Sequence, residues 1–234
     1  MKTPIATDSL HVIFDLDGTL IDSQPGIIDS LEFALAETGF AHKLSPSQVP
    51  VGPPLLDLIH SITNCNDTYT TDSIMAKFKL HYDSCGFSSS RLFDGVYDLL
   101  SSFSLAHFNL YIATNKRLRP TLKILEHLSI ACFFEGVYAV DSFGKFYRSK
   151  ADMLKDLISN YSLCSNIVYV GDRYDDYCAA SANSISFCYP LWGYTAEHQL
   201  FPGDAQGIAL CSPGRFAEIL VSCSQGTSDP LFRL

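Results

Sequence analysis

Short apolar runs along the chain alternate with segments in which apolar residues recur every three or four positions. The runs predict five strands, at residues 11–14, 110–113, 137–140, 167–170 and 185–188. Helical periodicity follows two of these runs, at residues 121–128 and 151–158. Strands that alternate with helices form βαβ units around a mostly parallel sheet. The pattern therefore predicts an α/β fold.

The stretch between the first and second predicted strands is nearly a hundred residues long, which is too long for a simple crossover. Residues 27–39 describe an amphipathic helix that ends at a glycine, and residues 73–82 suggest a second helix. We predict a Rossmann-like parallel-sheet core that is interrupted by a helical subdomain. The predicted division is a core of residues 1–20 and 93–234 and an insert of residues 21–92.

The chain has 234 residues, of which 47% are apolar, and a formal net charge of −9. A negative surface repels polyanions, so we expect no nucleic acid polymer as a partner. The sequence has no apolar run of the roughly 18 residues that a membrane-spanning helix needs. Its N-terminal residues also lack the apolar stretch of a signal peptide. We therefore expect a soluble, cytoplasmic monomer or homodimer without a membrane partner.

Eight cysteines could indicate disulfides, a metal site or a nucleophile, so their spacing has to decide. They form no CxxC pair and no ligand cluster with histidines. We expect most of them to be small, buried hydrophobic residues.

Two aspartates follow the first predicted strand in FDLDGTL, residues 14–20. Open α/β sheets present ligand groups at the carboxyl ends of their strands, and Gly18 favours a turn there. Asp15 and Asp17 would repel each other unless a cation neutralised them, and Mg²⁺ prefers such oxygen ligands. Asp15 could then attack phosphorus, while Asp17 protonates the leaving oxygen and later deprotonates water. A plain Asp-Gly turn is the alternative interpretation.

This segment resembles the first signature of the haloacid dehalogenase superfamily. The resemblance implies that Asp15 is the nucleophile, that Asp17 is the acid/base residue, and that Mg²⁺ is the cofactor. The dehalogenases of that superfamily lack the second aspartate, so the presence of Asp17 favours phosphoryl chemistry.

Further signatures of that superfamily occur later in the expected order. Thr114, in the segment IATNK, matches the hydroxyl and backbone N–H that bind phosphate, although such a Thr could instead cap a helix or turn. Lys150, just before a predicted helix, matches the lysine that neutralises the phosphate and the nucleophile. Lys145 and Lys155 are competing candidates, and a lone lysine is usually a solvated surface residue.

The last signature matches GDRYDD, residues 171–176. The resemblance implies that Asp172 ligates Mg²⁺ and that Asp176 either binds the metal's water shell or orients Lys150. Asp175 fits a shorter spacing and is the expected bystander. Acids at a helix N-terminus also complement the helix dipole, which is the alternative interpretation for one of the three.

In the same superfamily, an insert between the first two signatures is a helical cap that closes over the substrate and sets specificity. Residues 51–59, VGPPLLDLI, resemble the specificity loop of phosphoglycolate phosphatase-like members, and a proline-stiffened loop is the alternative. Residues 192–200 and 207–220 resemble the C-terminal part of those members.

The resemblance gives three sets of site residues: Asp15, Asp17, Thr114 and Lys150 for catalysis; Gly18, Gly52, Thr114, Asn115 and Lys150 for binding the substrate and its phosphate; and Asp15, Asp17, Asp172 and Asp176 for the metal. It implies a Mg²⁺-dependent phosphatase that hydrolyses a small phosphomonoester through an aspartyl phosphate. Two alternatives stay open: a phosphomutase or phosphotransferase acting on a sugar phosphate, and a binding protein of the same fold without catalysis.

Overall fold

The computed structural model describes residues 10–40, 43–52, 54–194, 208–210 and 212–224. Its strands are β1 His11–Phe14, β2 Ile21–Asp22, β3 Arg91–Leu92, β4 Asn109–Thr114, β5 Phe134–Ala139, β6 Ile167–Val170, β7 Ser186–Pro190 and β8 Ile208–Leu210. Within the described ranges the main sheet has the strand order β5-β4-β1-β6-β7-β8, and every neighbouring pair in it is parallel. The predicted α/β fold with a Rossmann-like sheet is confirmed.

β1 lies in the interior of this sheet, between β4 and β6. Its residues Val12, Ile13 and Phe14 are completely buried, because helices cover both faces of the sheet. Burial on both faces explains why the strand is a continuous apolar run. The five predicted strands are confirmed to within three residues at each end. The sequence did not predict β8, because three residues are too few for a recognisable apolar run.

The helices are α1 Gln24–Ala36, α2 Leu55–Thr63, α3 Thr68–Ser84, α4 Val96–Leu105, α5 Leu118–His127, α6 Lys150–Asn160, α7 Tyr174–Ala182 and α8 Pro213–Ser224. One apolar cluster joins the sheet to α4, α5 and α8, through residues such as Leu99, Ile124 and Phe216. A second cluster joins the sheet to α6 and α7, through Met153 and Ala179. The two clusters form the two sides of the core.

The inserted helices α1, α2 and α3 have an apolar cluster of their own, which includes Leu31, Ile59 and Ile74. β2 and β3 form an antiparallel pair, Ile21 opposite Leu92, where the chain enters and leaves this insert. A separate core and a two-stranded connection agree with an inserted helical subdomain. Its boundaries at residues 21 and 92 stay a prediction.

Two local predictions were wrong. Residues 55–59 lie in helix α2 rather than in a loop, because the prolines precede the helix and Leu58 and Ile59 face its apolar cluster. Among the six cysteines whose side chains the structure describes, Cys188 alone is buried, and four of the other five are exposed. Residues 195–200, Gly207 and Cys211, which belong to the C-terminal segments compared above, lie outside the described residues.

The described residues contain no helix that combines the length and the apolar character needed to cross a membrane.

Candidate active site

Three neighbouring strands bring the predicted site residues to one edge of the sheet. Asp15 follows the last residue of β1, Thr114 ends β4, and Asp172 follows β6 by two residues. β4 and β6 flank β1 in parallel register, with Phe14 opposite Ile112 on one side and Val170 on the other. The carboxyl ends of the three strands therefore meet at one place, which is where open α/β sheets bind ligands.

The ammonium group of Lys150 lies between two buried carboxylates. Its Nζ is 3.0 Å from Asp15 Oδ1 and 2.5 Å from Asp176 Oδ1. Lys150 is the first residue of α6, and the Ser149 hydroxyl caps that helix by accepting a hydrogen bond from the Asp152 N–H, at 3.1 Å. The competing candidate Lys145 instead contacts Asp156, at 2.8 Å. The structure brings Lys150 to Asp15, as the sequence predicted.

Asp176 is completely buried and accepts hydrogen bonds on both of its oxygens. The Tyr169 hydroxyl donates to Oδ1 at 2.8 Å, and the Arg173 backbone N–H donates to Oδ2 at 3.0 Å. These contacts, together with Lys150, hold the carboxylate in one orientation. Of the two roles that the sequence left open for Asp176, orienting Lys150 is consistent with this geometry.

Three carboxylates form a compact cluster that could hold a cation. One oxygen each of Asp15, Asp172 and Asp176 lies within 4.8 Å of the other two, and all three residues are buried. Hard oxygen ligands in this number suit Mg²⁺, which keeps its remaining positions for water or phosphate oxygens. The donor set therefore fits the metal that the sequence predicted.

The electrostatics of the cluster favour a bound cation. Burial, partly opposed by Lys150, raises the pKa of Asp15 to about 7, and the charges of Asp176 and Asp17 add to the increase. Burial also raises the pKa of Asp172 to about 8, with contributions from the charges of Asp15 and Asp176. A cation beside these carboxyl groups would favour their ionised forms.

Gly18 provides space for one of these carboxylates. Its φ is +82°, and a Cβ atom at this position would lie 2.2 Å from Asp172 Oδ2. The turn after Asp17 therefore needs a residue without a side chain, both for its left-handed backbone and for its close approach to Asp172. We predicted Gly18 as a phosphate-binding residue, and the structure places it against a candidate metal ligand.

Asp17 lies outside the cluster of three carboxylates that could hold a metal. Its oxygens accept hydrogen bonds from Lys116 Nζ, at 2.9 and 3.1 Å, and Oδ1 also accepts one from the Ser23 hydroxyl. The carboxylate therefore faces an ammonium group and a hydroxyl. Its predicted role as a fourth metal ligand stays a prediction.

Thr114 is the last residue of β4, and Asn115 begins the loop that leads to α5. Thr114 is buried, and its hydroxyl oxygen accepts a hydrogen bond from the Lys116 backbone N–H, at 3.2 Å. The hydroxyl hydrogen is then available to a phosphate oxygen. Asn115 is exposed and donates to Asp175 Oδ2 at 3.4 Å. Asp175 thus contacts the rim of the site, outside the cluster of three carboxylates that could hold a metal.

Gly52, in the loop before α2, lies against Arg173 from the loop that follows β6. The φ of Gly52 is +110°, and a Cβ atom there would lie 2.2 Å from Arg173 Nη1, so the Arg173 side chain would have to move. Arg173 is partly exposed and also contacts Asp175, at 2.8 Å. This contact brings the inserted segment to the residue next to Asp172.

Three residues outside the predicted set of site residues contact the site or its immediate neighbours. Lys116 pairs with Asp17, Trp192 donates to the Thr19 carbonyl at 2.9 Å, and the Tyr194 hydroxyl contacts Ser23 N–H at 2.7 Å. The position of Lys116, two residues after Thr114, is a signal that could have identified it. Trp192 and Tyr194 follow β7. Their contacts with Thr19 and Ser23 join distant parts of the chain and depend on the tertiary fold.

Comparisons with known proteins identify the family of this chain. The family model described as "Haloacid dehalogenase-like hydrolase" matches residues 12–189. The tyrosine-protein kinase PtkA of Mycobacterium tuberculosis is 31% identical over 192 residues, which cover 78% of this chain and 62% of that protein. The chain thus spans less than two thirds of the length of PtkA.

Two relatives of more similar length have names that refer to phosphate ester hydrolysis. A 5'-nucleotidase of Pseudomonas aeruginosa is 27% identical over 192 residues, covering 81% of this chain and 86% of that one. A phosphoglycolate phosphatase of Mesorhizobium japonicum is 27% identical over 196 residues, covering 80% and 85%.

A solved structure extends the similarity to nearly the whole fold. A protein from Clostridium acetobutylicum, described as a predicted phosphatase, superimposes with a TM-score of 0.78 at 26% identity, covering 92% of this chain and all of that one. The fold, the order of the site residues and the matched region agree, so the chain belongs to the haloacid dehalogenase-like hydrolase family.

Proposed function

We propose that this chain is a Mg²⁺-dependent phosphatase that hydrolyses small phosphomonoesters through an aspartyl phosphate on Asp15. The observation that carries the proposal is the position of Lys150, whose Nζ lies 3.0 Å from Asp15 Oδ1 beside the carboxylates of Asp172 and Asp176. The proposed nucleophilic carboxylate, an ammonium group and a candidate metal site thus lie next to one another in one buried site. Phosphoryl transfer requires this combination of a positioned nucleophile and positive charge.

The charge of the site supports a divalent cation. Four carboxylates, of Asp15, Asp17, Asp172 and Asp176, face two ammonium groups, of Lys150 and Lys116. If all six groups are ionised, two negative charges remain in excess. Asp15, Asp172 and Asp176 would hold Mg²⁺, which, when bound, would neutralise this excess and polarise a phosphate oxygen.

The first half of the reaction forms a bond between Asp15 and phosphorus. An oxygen of the Asp15 carboxylate attacks the phosphorus atom, and the bond from phosphorus to the ester oxygen breaks. The ester oxygen leaves as an alcohol after Asp17 supplies a proton. Lys150 and the Thr114 hydroxyl stabilise the negative charge on the phosphoryl oxygens.

The second half regenerates the carboxylate. A water molecule attacks phosphorus, Asp17 takes up the proton of that water, and the bond between Asp15 and phosphorus breaks. The products are inorganic phosphate and the free enzyme. Asp17 therefore returns to the protonation state in which it began.

The inserted helices supply the other side of the site. Gly52 contacts Arg173, and Tyr82 of α3 lies 4.9 Å from Lys116 Nζ, measured to the ring centroid. We propose that this subdomain is a cap that excludes water and selects the ester. Phosphoglycolate and nucleoside 5'-monophosphates are the first esters to test, because relatives of similar length are named for these substrates.

Phosphotransfer to an acceptor other than water is the second candidate function. It is favoured by the similarity to PtkA, which is named a tyrosine-protein kinase, although the chain spans only 62% of that protein. The same aspartyl phosphate could pass its phosphoryl group to a hydroxyl, either of a sugar phosphate, as in a mutase, or of tyrosine. Analysis of the products distinguishes these outcomes from hydrolysis.

The decisive experiment is a screen of the purified chain against phosphoglycolate, nucleoside monophosphates and sugar phosphates, with Mg²⁺ and with a chelator. We expect release of inorganic phosphate from at least one ester, dependence on Mg²⁺, and no turnover by the Asp15→Asn variant. Transfer of the phosphoryl group without phosphate release would favour the second candidate. A complete absence of turnover would contradict the proposal.

A further inference from the structure

Lys116 is a buried cation next to the proposed acid/base residue, and the predicted site residues do not include it, although it ends the segment IATNK. Its side chain is only 9% exposed, and its Nζ lies 2.9 Å from Asp17 Oδ1 and 3.1 Å from Oδ2. The Ser23 hydroxyl donates a further hydrogen bond to Oδ1. These three hydrogen bonds restrain the orientation of the Asp17 carboxylate.

Lys116 is itself held at both ends of its backbone. Its N–H donates to Thr114 Oγ1 at 3.2 Å, and its carbonyl accepts a hydrogen bond from the Val140 N–H at 3.3 Å. The residue is therefore fixed to the ends of two strands, β4 and β5. An ammonium group on such a support can hold a partner carboxylate in a defined position.

The inserted helices cover the ammonium group. The ring of Tyr82, a residue of α3 that is 3% exposed, lies 4.9 Å from Lys116 Nζ, within the range of a cation–π interaction. The ammonium group therefore contacts both Asp17 of the core and Tyr82 of the insert. The side chain of Lys116 thereby links the position of Asp17 to α3.

The segment that carries Lys116 also holds the end of α3. Arg117 donates two hydrogen bonds to the Asp83 carboxylate, at 2.9 and 2.5 Å, and Lys123 Nζ donates to the Asp83 carbonyl at 2.6 Å. Asp83 is the neighbour of Tyr82. The paired hydrogen bonds from Arg117 thus keep Tyr82 over Lys116 without involving Asp17.

We propose that Lys116 is a positioning residue, which holds the Asp17 carboxylate in its catalytic orientation when α3 covers the site. This inference rests on the proposed function, because it takes Asp17 to be the acid/base residue. The groups proposed to bind the substrate phosphate do not include Lys116, so its loss should slow proton transfer and leave binding nearly intact.

Lys123 provides a matched control. It lies on the same side of the core, donates to the same stretch of α3, and has its Nζ 5.0 Å from the ring centroid of Phe87. The contacts described for it do not include Asp17. A Lys123→Met variant therefore removes a cation that contacts α3 from the core, without removing a contact to the acid/base residue.

The test measures kcat and KM for Lys116→Met, Lys116→Arg, Lys123→Met, Asp17→Asn and the double variant Lys116→Met/Asp17→Asn, using an ester that the unmodified chain hydrolyses. We expect Lys116→Met to lower kcat about tenfold or more while KM changes by less than about threefold. Lys116→Arg should recover part of kcat, and Lys123→Met should stay near the unmodified value. Lys116→Met should cause no further loss in the Asp17→Asn background.

Urea unfolding of each variant identifies losses of kcat that arise from a damaged fold, and Lys116→Arg keeps the charge if Lys116→Met does not fold. Losses from Lys116→Met and Asp17→Asn that simply multiply would overturn the inference. An equal loss in Lys123→Met, or a rise in KM with unchanged kcat, would also overturn it. In these cases the unmodified chain is active and the proposed function stands, whereas an inactive unmodified chain would overturn both.

Discussion

Lys150 Nζ lies 3.0 Å from Asp15 Oδ1, in a place where both residues are buried. Burial acts to lower the pKa of Lys150, but the charges of Asp15 and Asp176 and their hydrogen bonds raise it overall. The ammonium group of Lys150 is therefore charged at neutral pH. It supplies a permanent positive charge at the proposed nucleophile.

Replacing Lys150 with Met should lower both activity and stability. Asp15 and Asp176 would lose their buried partner, which destabilises a protein by about 3–5 kcal/mol unless protons or a metal compensate. We expect turnover to fall by about a hundredfold or more, because the charge that faces the phosphoryl group is lost. Steady-state kinetics and urea unfolding measure the two effects.

Lys145→Met is the matched control for this variant. Lys145 pairs with Asp156 at the surface, where its side chain is 57% exposed, and such pairs contribute up to about 1 kcal/mol. Its kinetics should be unchanged. Equal effects of the two substitutions would show that Lys150 has no special role.

The stability of the metal-free protein should fall as the pH rises from about 4 to about 8. Carboxyl groups in an unfolded chain titrate near pH 4, whereas Asp15 and Asp172 in the fold have a pKa of about 7 and about 8. Between these values the folded state binds more protons than the unfolded state, so deprotonation favours unfolding. The contribution is fully present below pH 4 and is lost as the pH passes through 7 and 8.

Mg²⁺ should reverse this loss. Because the metal binds ionised carboxylates, it competes with protons, and its effect on Tm should be larger at about pH 9 than at about pH 5.5. Thermal unfolding with and without Mg²⁺ measures the difference. An Asp172→Asn variant should show a much smaller Mg²⁺ effect. A Tm increase that does not depend on pH would contradict a metal site built from Asp15 and Asp172.

Gly18→Ala should damage the metal site. A Cβ atom at Gly18 would lie 2.2 Å from Asp172 Oδ2, so the carboxylate has to move. We expect the stabilisation by Mg²⁺ and the turnover to fall together. Calorimetric Mg²⁺ titration and kinetics check this.

Gly39→Ala is the control for Gly18→Ala. It introduces the strain of a left-handed backbone without a steric clash against Asp172. Gly39 has a similar φ, +86°, with no atom within 4 Å of its Cβ position. It should lose stability, by about 1–2 kcal/mol for a left-handed backbone, but keep Mg²⁺ binding and turnover. Unchanged Mg²⁺ binding in Gly18→Ala would count against the assignment of Asp172 as a ligand.

Gly52→Ala should disturb the contact between the insert and the core. The added Cβ atom would meet the guanidinium of Arg173, 2.2 Å from Nη1, and this flexible side chain would be displaced. We expect a change in KM or in preference among esters, because the displaced residue is next to Asp172. Kinetics with several esters measure it.

An Arg173→Ala substitution tests the cause of this effect. It makes room for the new methyl group, so Gly52→Ala should have a smaller effect in the Arg173→Ala background than alone. Equal effects in both backgrounds would mean that the strained φ of +110°, rather than Arg173, is responsible.

The sequence was sufficient to predict five strands of the main sheet and most of the site residues at their carboxyl ends. Asp15, Thr114 and Asp172 each follow a buried apolar run, and parallel strands necessarily bring their carboxyl ends together. Helix α5 begins three residues earlier than predicted, at Leu118, because a proline is compatible with the first turn of a helix, where its missing N–H is not needed. Errors of this kind affect element ends and leave the site unchanged.

The contacts between the insert and the core could not be predicted in this way. Lys116 meets both Asp17 and Tyr82, and Tyr194 meets Ser23, across separations of 99, 34 and 171 residues in the chain. No periodic pattern encodes such pairs, because they depend on how α3 and the loop after β7 pack on the core. Charge alone also gave no reason to select Lys116 from the 16 lysine and arginine residues.

The most direct test of the account is to trap the phosphorylated residue. The chain is mixed with an ester that it hydrolyses, quenched with acid, reduced with borohydride and digested, and the peptides are analysed by mass spectrometry. Because borohydride reduces an acyl phosphate to an alcohol, we expect Asp15 to be converted to homoserine, only when substrate is present. Conversion of a different residue, or an unmodified Asp15 during active turnover, would contradict the proposal that this carboxylate attacks phosphorus.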